Sequence, residues 1–138
     1  MADTGHGATL TLATTGAVGA IRSMTLPEIV MEKIETTVLG TTDFMEYMPG
    51  DLSDPGELTA TILFDAEDDD LPSRGVAETV TVTFPVHTSG NTTNATLAGT
   101  GFITSVKMPD MATNELQVME LTIAFDGLTG PAFTAESA

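Results

Sequence analysis

Between Leu116 and Phe125 the chain alternates strictly. Met119, Leu121, Ile123 and Phe125 fall on one face, and Val118, Glu120, Thr122 and Ala124 on the other. Successive side chains of a strand point to opposite faces, so this spacing predicts a strand with one buried face. The segment Leu97–Met108, entered through Gly99 and Gly101, predicts the strand before it. Pro109-Asp110 supplies turn chemistry between the two, and Asp126-Gly127 closes the second. The resulting hairpin, Gly99–Gly127, is the surface against which the rest of the chain is expected to pack.

Upstream, the same period recurs. Ala8–Ala13 predicts a first strand, Thr14-Thr15-Gly16-Ala17 a turn, and Gly19–Leu26 a second strand with Ile21, Ser23 and Thr25 opposite Arg22, Met24 and Leu26. Glu28–Lys33 fits either a short helix or a strand. Thr25 and Glu28 have capping-box spacing and Pro27 suits a first helical turn, whereas Ile34–Leu39 is β-branched and favours a strand. Gly40–Glu57 is rich in Gly, Pro, Asp and Thr and predicts a long loop. That loop nevertheless carries Phe44, Met45, Tyr47 and Met48. Such a cluster is accounted for by a loop folded back over its own core, the commoner arrangement, or by an exposed patch that meets another subunit. Glu57–Asp65 predicts a strand with Leu58, Ala60, Ile62 and Phe64 on one face. Ala77–Val86 predicts another, with Val80, Val82 and Phe84 opposite Thr79, Thr81 and Thr83, and Pro85 marks a sheet edge or strand end. Seven or eight strands separated by turn signals define an all-β sandwich or barrel.

A chain of 138 residues suits a single domain, here residues 1–138 with an N-terminal arm over about 1–7 and a C-terminal tail over about 128–138. Pro131 denies that tail a central place in a sheet. Four basic residues, Arg22, Lys33, Arg74 and Lys107, face twenty acidic ones, for a net charge of −16. This argues against nucleic-acid binding by phosphate neutralisation and against attachment to an anionic membrane. The residues Met1–His6 contain neither a basic region nor an apolar run, so no signal peptide is expected there. No apolar stretch approaches the ~20 residues of a membrane span.

No residue set carries catalysis, a metal or a cofactor. Without cysteine, thiolate chemistry and Cys-ligated metals are excluded. Asp65, Glu67 and Asp69 begin a calcium-loop spacing, but Asp70 stands where the template needs glycine and Val76 where it needs glutamate, so a solvated acidic loop is expected. His6 and His87 lack a second ligand at zinc spacing. There is no G-x-S-x-G elbow. Gly5-His-Gly7 and Gly99-Thr-Gly101 lack the third glycine of a dinucleotide loop, and the second pair is expected to relieve a strand bend or bulge. Asn91-Thr-Thr93 and Asn94-Ala-Thr96 match the glycosylation sequon, which without a secretion signal is read as accidental. A non-enzymatic role follows.

Four segments in order, GHGATLTLATTG from Gly5, IETTVLGTTDFMEYMPGDLSDPGELTATILFD from Ile34, AETVTVTFP from Ala77 and GTGFITSVKMPDMATNELQVMELTIAFDG from Gly99, resemble the major tail tube proteins of long-tailed, siphovirus-type bacteriophages. The likeness spans almost the whole chain. Many relatives have a helix where this chain has Ala66–Val76, interrupted by Pro72 and Gly75, so a short helix or none is expected.

The resemblance implies a β-sandwich that forms hexameric rings. The rings stack into a tube through which DNA leaves the capsid without being specifically bound. It implies copies of the chain itself, a tape-measure protein, and tail terminator and tail-tip proteins as partners, and no cofactor. It places the protein in the virion tail after synthesis in the host cytoplasm. It assigns ring-to-ring contacts to the loop bearing Thr41, Asp43, Phe44, Met45, Tyr47, Met48 and Asp51, and leaves Glu120 and Thr122 for the lumen wall. If six subunits each gave four strands, the barrel would be about 48 Å across its backbone, at ~4.8 Å between strands tilted by ~40°. The alternatives are a tube subunit of a contractile tail, gene-transfer particle or secretion machine, and a surface β-sandwich for adhesion or carbohydrate binding. A hydrolytic β-barrel enzyme is the third, disfavoured by the absence of a catalytic set.

Overall fold

Among the described residues every strand pairs antiparallel. The computed structural model describes residues 6–13, 16–18, 21–63, 74–86 and 89–138, and among them there is no helix. The strands are β1 (Thr9–Leu12), β2 (Gly16–Val18), β3 (Ile21–Thr25), β4 (Val30–Glu35), β5 (Tyr47–Asp54), β6 (Glu57–Leu63), β7 (Glu78–Thr83), β8 (Thr96–Lys107), β9 (Val118–Phe125) and β10 (Ala132–Thr134). The main sheet runs β2-β1-β7-β8-β9-β6-β3, and β4 pairs with β5 in a separate two-stranded ribbon. The long β8 anchors the order. Its first half pairs with β7, Val80 facing Gly99, and its second half with β9, Ile103 facing Ile123. A strand has two edges, so β10, which pairs with β8 over Thr96–Ala98, extends the side that β9 occupies. The tail is thus tied in, helped by a T-shaped contact of Phe133 with Phe84 (5.9 Å between ring centroids) and a bridge between Thr93 and Ser137.

The inward face follows the alternation. Leu10 and Leu12 of β1, Val80 and Val82 of β7, Ile103 of β8, Ile123 and Phe125 of β9, and Leu58 and Ala60 of β6 form one buried cluster. Each large side chain removed from water in this way stabilises the fold by roughly 1.5–3 kcal/mol. Among the described residues no helix lies above it and the ribbon is exposed almost throughout, so the described cover of this face is the sheet curling over itself. Two irregularities assist. Between Ile103 and Ser105 the register slips, so Ile103 and Val106, three apart, both reach the interior. A similar slip between Ile21 and Ser23 brings Ile21 and Met24 inward together. Bulges of this kind bend a strand and increase its twist.

Several expectations are corrected. Of the two readings left open for Glu28–Lys33, strand holds from Val30 on, and the strand expected over Ile34–Leu39 stops at Glu35. Gly16 and Ala17, read as turn, pair as β2 with Leu12 and Thr11. Gly40–Glu57 is not all loop, because Tyr47–Asp54 is β5. The bulge places Ile21 and Met24 on one side, where unbroken alternation opposes them. The segment likened to an edge strand, Ala77–Pro85, contains β7, which lies between β1 and β8; Pro85 marks only the strand's end. Gly99 and Gly101 sit in regular ladder rather than at a bulge. What they relieve is crowding. A Cβ on Gly99 would lie 3.0 Å from the Phe125 ring, and one on Gly101 would lie 2.7 Å from the Ala124 carbonyl oxygen. Phe64, the acidic run Asp65–Asp70, most of the interval likened to a helix, and His87 lie outside the described residues.

Because the Ala124 carbonyl belongs to backbone and cannot swing aside, Gly101→Ala is expected to cost roughly 1–3 kcal/mol, the usual penalty of overpacking. Gly40 is the control, since a methyl group there would meet nothing within 4 Å. Gly40→Ala should stay within about 0.5 kcal/mol of wild type. Urea denaturation with an unchanged m-value measures both.

Candidate assembly surface

The two-stranded ribbon is the outer half of a longer hairpin rooted in the main sheet. Thr25 faces Thr59 across the β3–β6 ladder. Five residues on along one strand and five back along the other, Val30 faces Asp54 across β4–β5. The register is therefore continuous, and only the hydrogen bonding lapses between. Pro27 and Pro55 lie in that gap and have no N–H to donate. Gly56 adopts φ +81° there, and a Cβ on it would lie 2.6 Å from the Glu28 carbonyl oxygen. The Gly56 N–H donates to Asp54 Oδ1 at 2.9 Å and so tightens the turn back into β6. Residues 27–56 thus form an arm that leaves the sheet at a fixed joint.

The tip of the arm is held by its threonines. The Thr36 N–H donates to the Glu46 carbonyl at 2.8 Å, and the Thr41 N–H to the Val38 carbonyl at 2.9 Å. The Glu46 N–H donates to Thr37 Oγ1 at 2.9 Å, and the Val38 N–H to Thr41 Oγ1 at 3.2 Å. These bonds close a tight turn that presents Leu39 fully to solvent. Lys33 Nζ lies 4.2 Å from the centroid of the Tyr47 ring, a cation–π contact across the ribbon.

The arm buries almost none of its apolar content. Ile29, Val30, Met31, Ile34, Val38, Leu39, Met45, Tyr47, Met48 and Leu52 are exposed, and Phe44 retains 79% of its accessible surface. The cluster is therefore not folded back over the core, which corrects the commoner of its two readings. Single exposed apolar side chains are ordinary, whereas a contiguous patch on a ribbon whose two outer edges are unpaired marks an interaction surface. Against Lys33 the arm carries seven exposed carboxylates, Glu28, Glu32, Glu35, Asp43, Glu46, Asp51 and Asp54.

Of the residues singled out in the sequence, Thr41, Asp43, Phe44 and Met45 lie at the tip, and Tyr47, Met48 and Asp51 on β5, so the arm brings all seven together. Not singled out were Leu39, at the apex, and the β4 side chains Val30, Met31 and Ile34. Their signal was present as a strand pattern that never alternates with polar residues on a regular face. Glu120 and Thr122 lie apart from the arm on the outer face of β9; Glu120 is exposed and directly opposite Lys107, and Thr122 is half-buried opposite Ser105. Among the described residues no group of three or more His, Asp or Glu side chains is placed to hold a metal ion. The sequon residue Asn91 is half-buried, its Nδ2 donating to Glu136 Oε1 at 3.1 Å.

No protein-family model and no curated protein matches the chain. Solved structures do. A chain of the sheath/tube terminator of PVC, an extracellular contractile injection system in its extended state, superposes with a TM-score of 0.75 at 16% identity, covering 98% of each chain. A chain of the PVC sheath-tube complex, also extended, gives a TM-score of 0.65 at 18% identity, over 93% of this chain and 88% of that one. The tube-terminating cap of the anti-feeding prophage gives 0.64 at 16% identity, over 100% and 93%. At such identities the likeness establishes the fold. The chain has the all-β fold found in tube-associated components of tail-like assemblies.

The order of the tip depends on Thr37. Thr37→Val keeps the side-chain shape but removes the acceptor of the Glu46 amide, a loss of about 1 kcal/mol locally. Amide exchange at Glu46 should accelerate about fivefold, with Ile123 in the core unchanged, read by NMR hydrogen exchange.

Proposed function

We propose that this chain is a non-enzymatic structural subunit of a tail-like tube, with residues 1–138 acting as one domain. The observation that carries the reading is the arm, an apolar, open-edged ribbon on a fold shared with tube and tube-terminator chains. Pairing the open edges of neighbouring arms removes the exposed strand edges that an isolated β-protein must otherwise protect. In the fuller form of this proposal the copies close into hexameric rings. The rings stack through Thr41, Asp43, Phe44, Met45, Tyr47, Met48 and Asp51, and Glu120 and Thr122 face the lumen. The tube belongs to a virion or related particle made in a host cytoplasm, with a tape-measure protein, a terminator and a tip complex as partners.

Charge fits a conduit. A net charge of −16 makes a wall that repels phosphate, so a duplex passes without being gripped, and screening confines this repulsion to about 8–10 Å in physiological salt. The same charge opposes assembly, because each approaching subunit is also an anion.

A second reading is a terminator or cap that forms one ring and ends a tube. It is favoured by the higher TM-score and fuller coverage against the sheath/tube terminator chain. The two readings differ in whether rings stack without limit.

Purified protein viewed by negative-stain electron microscopy from about 0.05 to 0.5 M salt, a range over which the Debye length falls below ~5 Å, tests both. Tubes of constant width that lengthen with salt support the tube subunit, and rings that never stack support the terminator. A monomer at every salt and high concentration overturns both. Phe44→Asp with Met48→Asp should leave stability within about 0.5 kcal/mol, as for exposed positions generally, yet abolish stacking.

A further inference from the structure

The sheet curls but does not close. Its end strands β2 and β3, separated in sequence by two residues, do not pair with each other, and among the described residues no strand pairs with the outer edge of β3. Beside β3 lies a cleft of about 510 Å³. Its apolar lining comes from Ile21, Met24 and Leu26 on one side and Phe84 on the other, over the fully buried Val82, and Arg22, Ser23 and His6 add polar lining. That volume lies within the roughly 300–1,000 Å³ of pockets that hold small organic ligands, room for ~2 large side chains. The chain has twenty carboxylates, yet none of the described ones lines this cleft, and no ion pair holds Arg22 among the described residues. It is a cleft of mixed polar and apolar lining that includes a cation and no described carboxylate.

The matching shape is on the same chain. The arm tip carries Leu39 and Phe44, both largely exposed, beside the carboxylates of Asp43 and Glu46. Leu26 lies both on the cleft and next to the arm's root at Pro27. From Pro27 to Val38 the ribbon extends roughly 35 Å, at ~3.3 Å per strand residue, so a tip does not return to its own cleft. We propose that the open seam of the curled sheet receives the arm tip of a second copy, with Leu39 and Phe44 entering between β3 and β7 and Asp43 and Glu46 meeting Arg22. This deepens the reading of the arm as an assembly element and rests on it. A tip-to-cleft contact joins two different surfaces, so it propagates from copy to copy into a ring or a stack. A second exposed apolar group, Met108, Met111 and Leu116, is a poorer receiver. Its hollow is about 130 Å³, and its lining sets Lys107 against Asp110, Glu115 and Glu120, a net negative charge that repels an acidic tip.

The absence of native cysteine makes the test clean. Full-length protein carrying Ser23→Cys in the cleft and Thr42→Cys at the tip is assembled, mildly oxidised and run on a non-reducing gel. A ladder of covalent oligomers is expected, and little of one when Met111→Cys replaces Ser23→Cys. Assembly without a Ser23 ladder, or a stronger ladder from Met111, overturns the docking site and leaves the tube reading standing; no assembly under any salt overturns both. As a second measurement on folded protein, Arg22→Glu should raise the concentration at which assembly begins about tenfold, and adding Asp43→Lys with Glu46→Lys should restore it, since like charges placed face to face are repulsive and reversal of both relieves them. If the triple variant assembles no better than Arg22→Glu, the pairing is wrong.

Discussion

Leu10 and Leu12 at one wing of the sheet and Leu58 and Ala60 at the other are shut away from water, with no helix among the described residues to cover them. One sheet must therefore supply both walls of its core. The remaining architecture follows from that demand. The bulges at Ile103–Ser105 and Ile21–Ser23 bend the strands, the bare backbone at Gly99 admits the Phe125 ring, and β9 lies close against β8 at Gly101. Curling also has a cost in closure. The curled sheet here leaves its end strands β2 and β3 unpaired with each other, and the seam falls beside β3.

What the core requires was legible in the sequence because burial imposes period two. Met119, Leu121, Ile123 and Phe125, and equally Leu58, Ala60 and Ile62, lie where their alternation predicts. Legibility failed where one residue was inserted into that rhythm, as at Ile21–Met24, since a bulge is a property of the pair of strands and leaves no mark in either alone. It failed again in the arm. Pro49, Gly50, Asp51 and Ser53 look like loop chemistry, yet they form β5 because β4 lies alongside and an uncovered ribbon tolerates polar and turn-forming residues that a buried strand excludes. The seven contact residues read from the sequence share that arm, but their exposure was not legible there. Nothing in Phe44 or Met48 reveals whether the core is within reach. The seam was invisible for the same reason, since Arg22 acquires neighbours from β7 only through curling.

Charge and apolar exposure oppose each other along the arm. Its exposed apolar side chains favour association, whereas its seven carboxylates delay it until screening or a cation offsets them. The scarcity of cations gives each of the four a distinct weight. Lys33 is engaged with Tyr47 inside the ribbon, and Lys107 faces Glu120 across the β8–β9 ladder.

The slip within the ribbon has a consequence for how such an arm can change. Between Met31–Ser53 and Lys33–Pro49, β5 spends two residues more than β4. Two is an even number, so Ile34 and Met48 remain on the side that Val30 and Asp54 occupy, and the ribbon keeps the same front and back along its length. Lengthening by pairs of residues therefore keeps the same side chains on each face, while a single-residue insertion turns everything beyond it inside out. Reach can drift over generations in steps of two without renegotiating which side greets the neighbour.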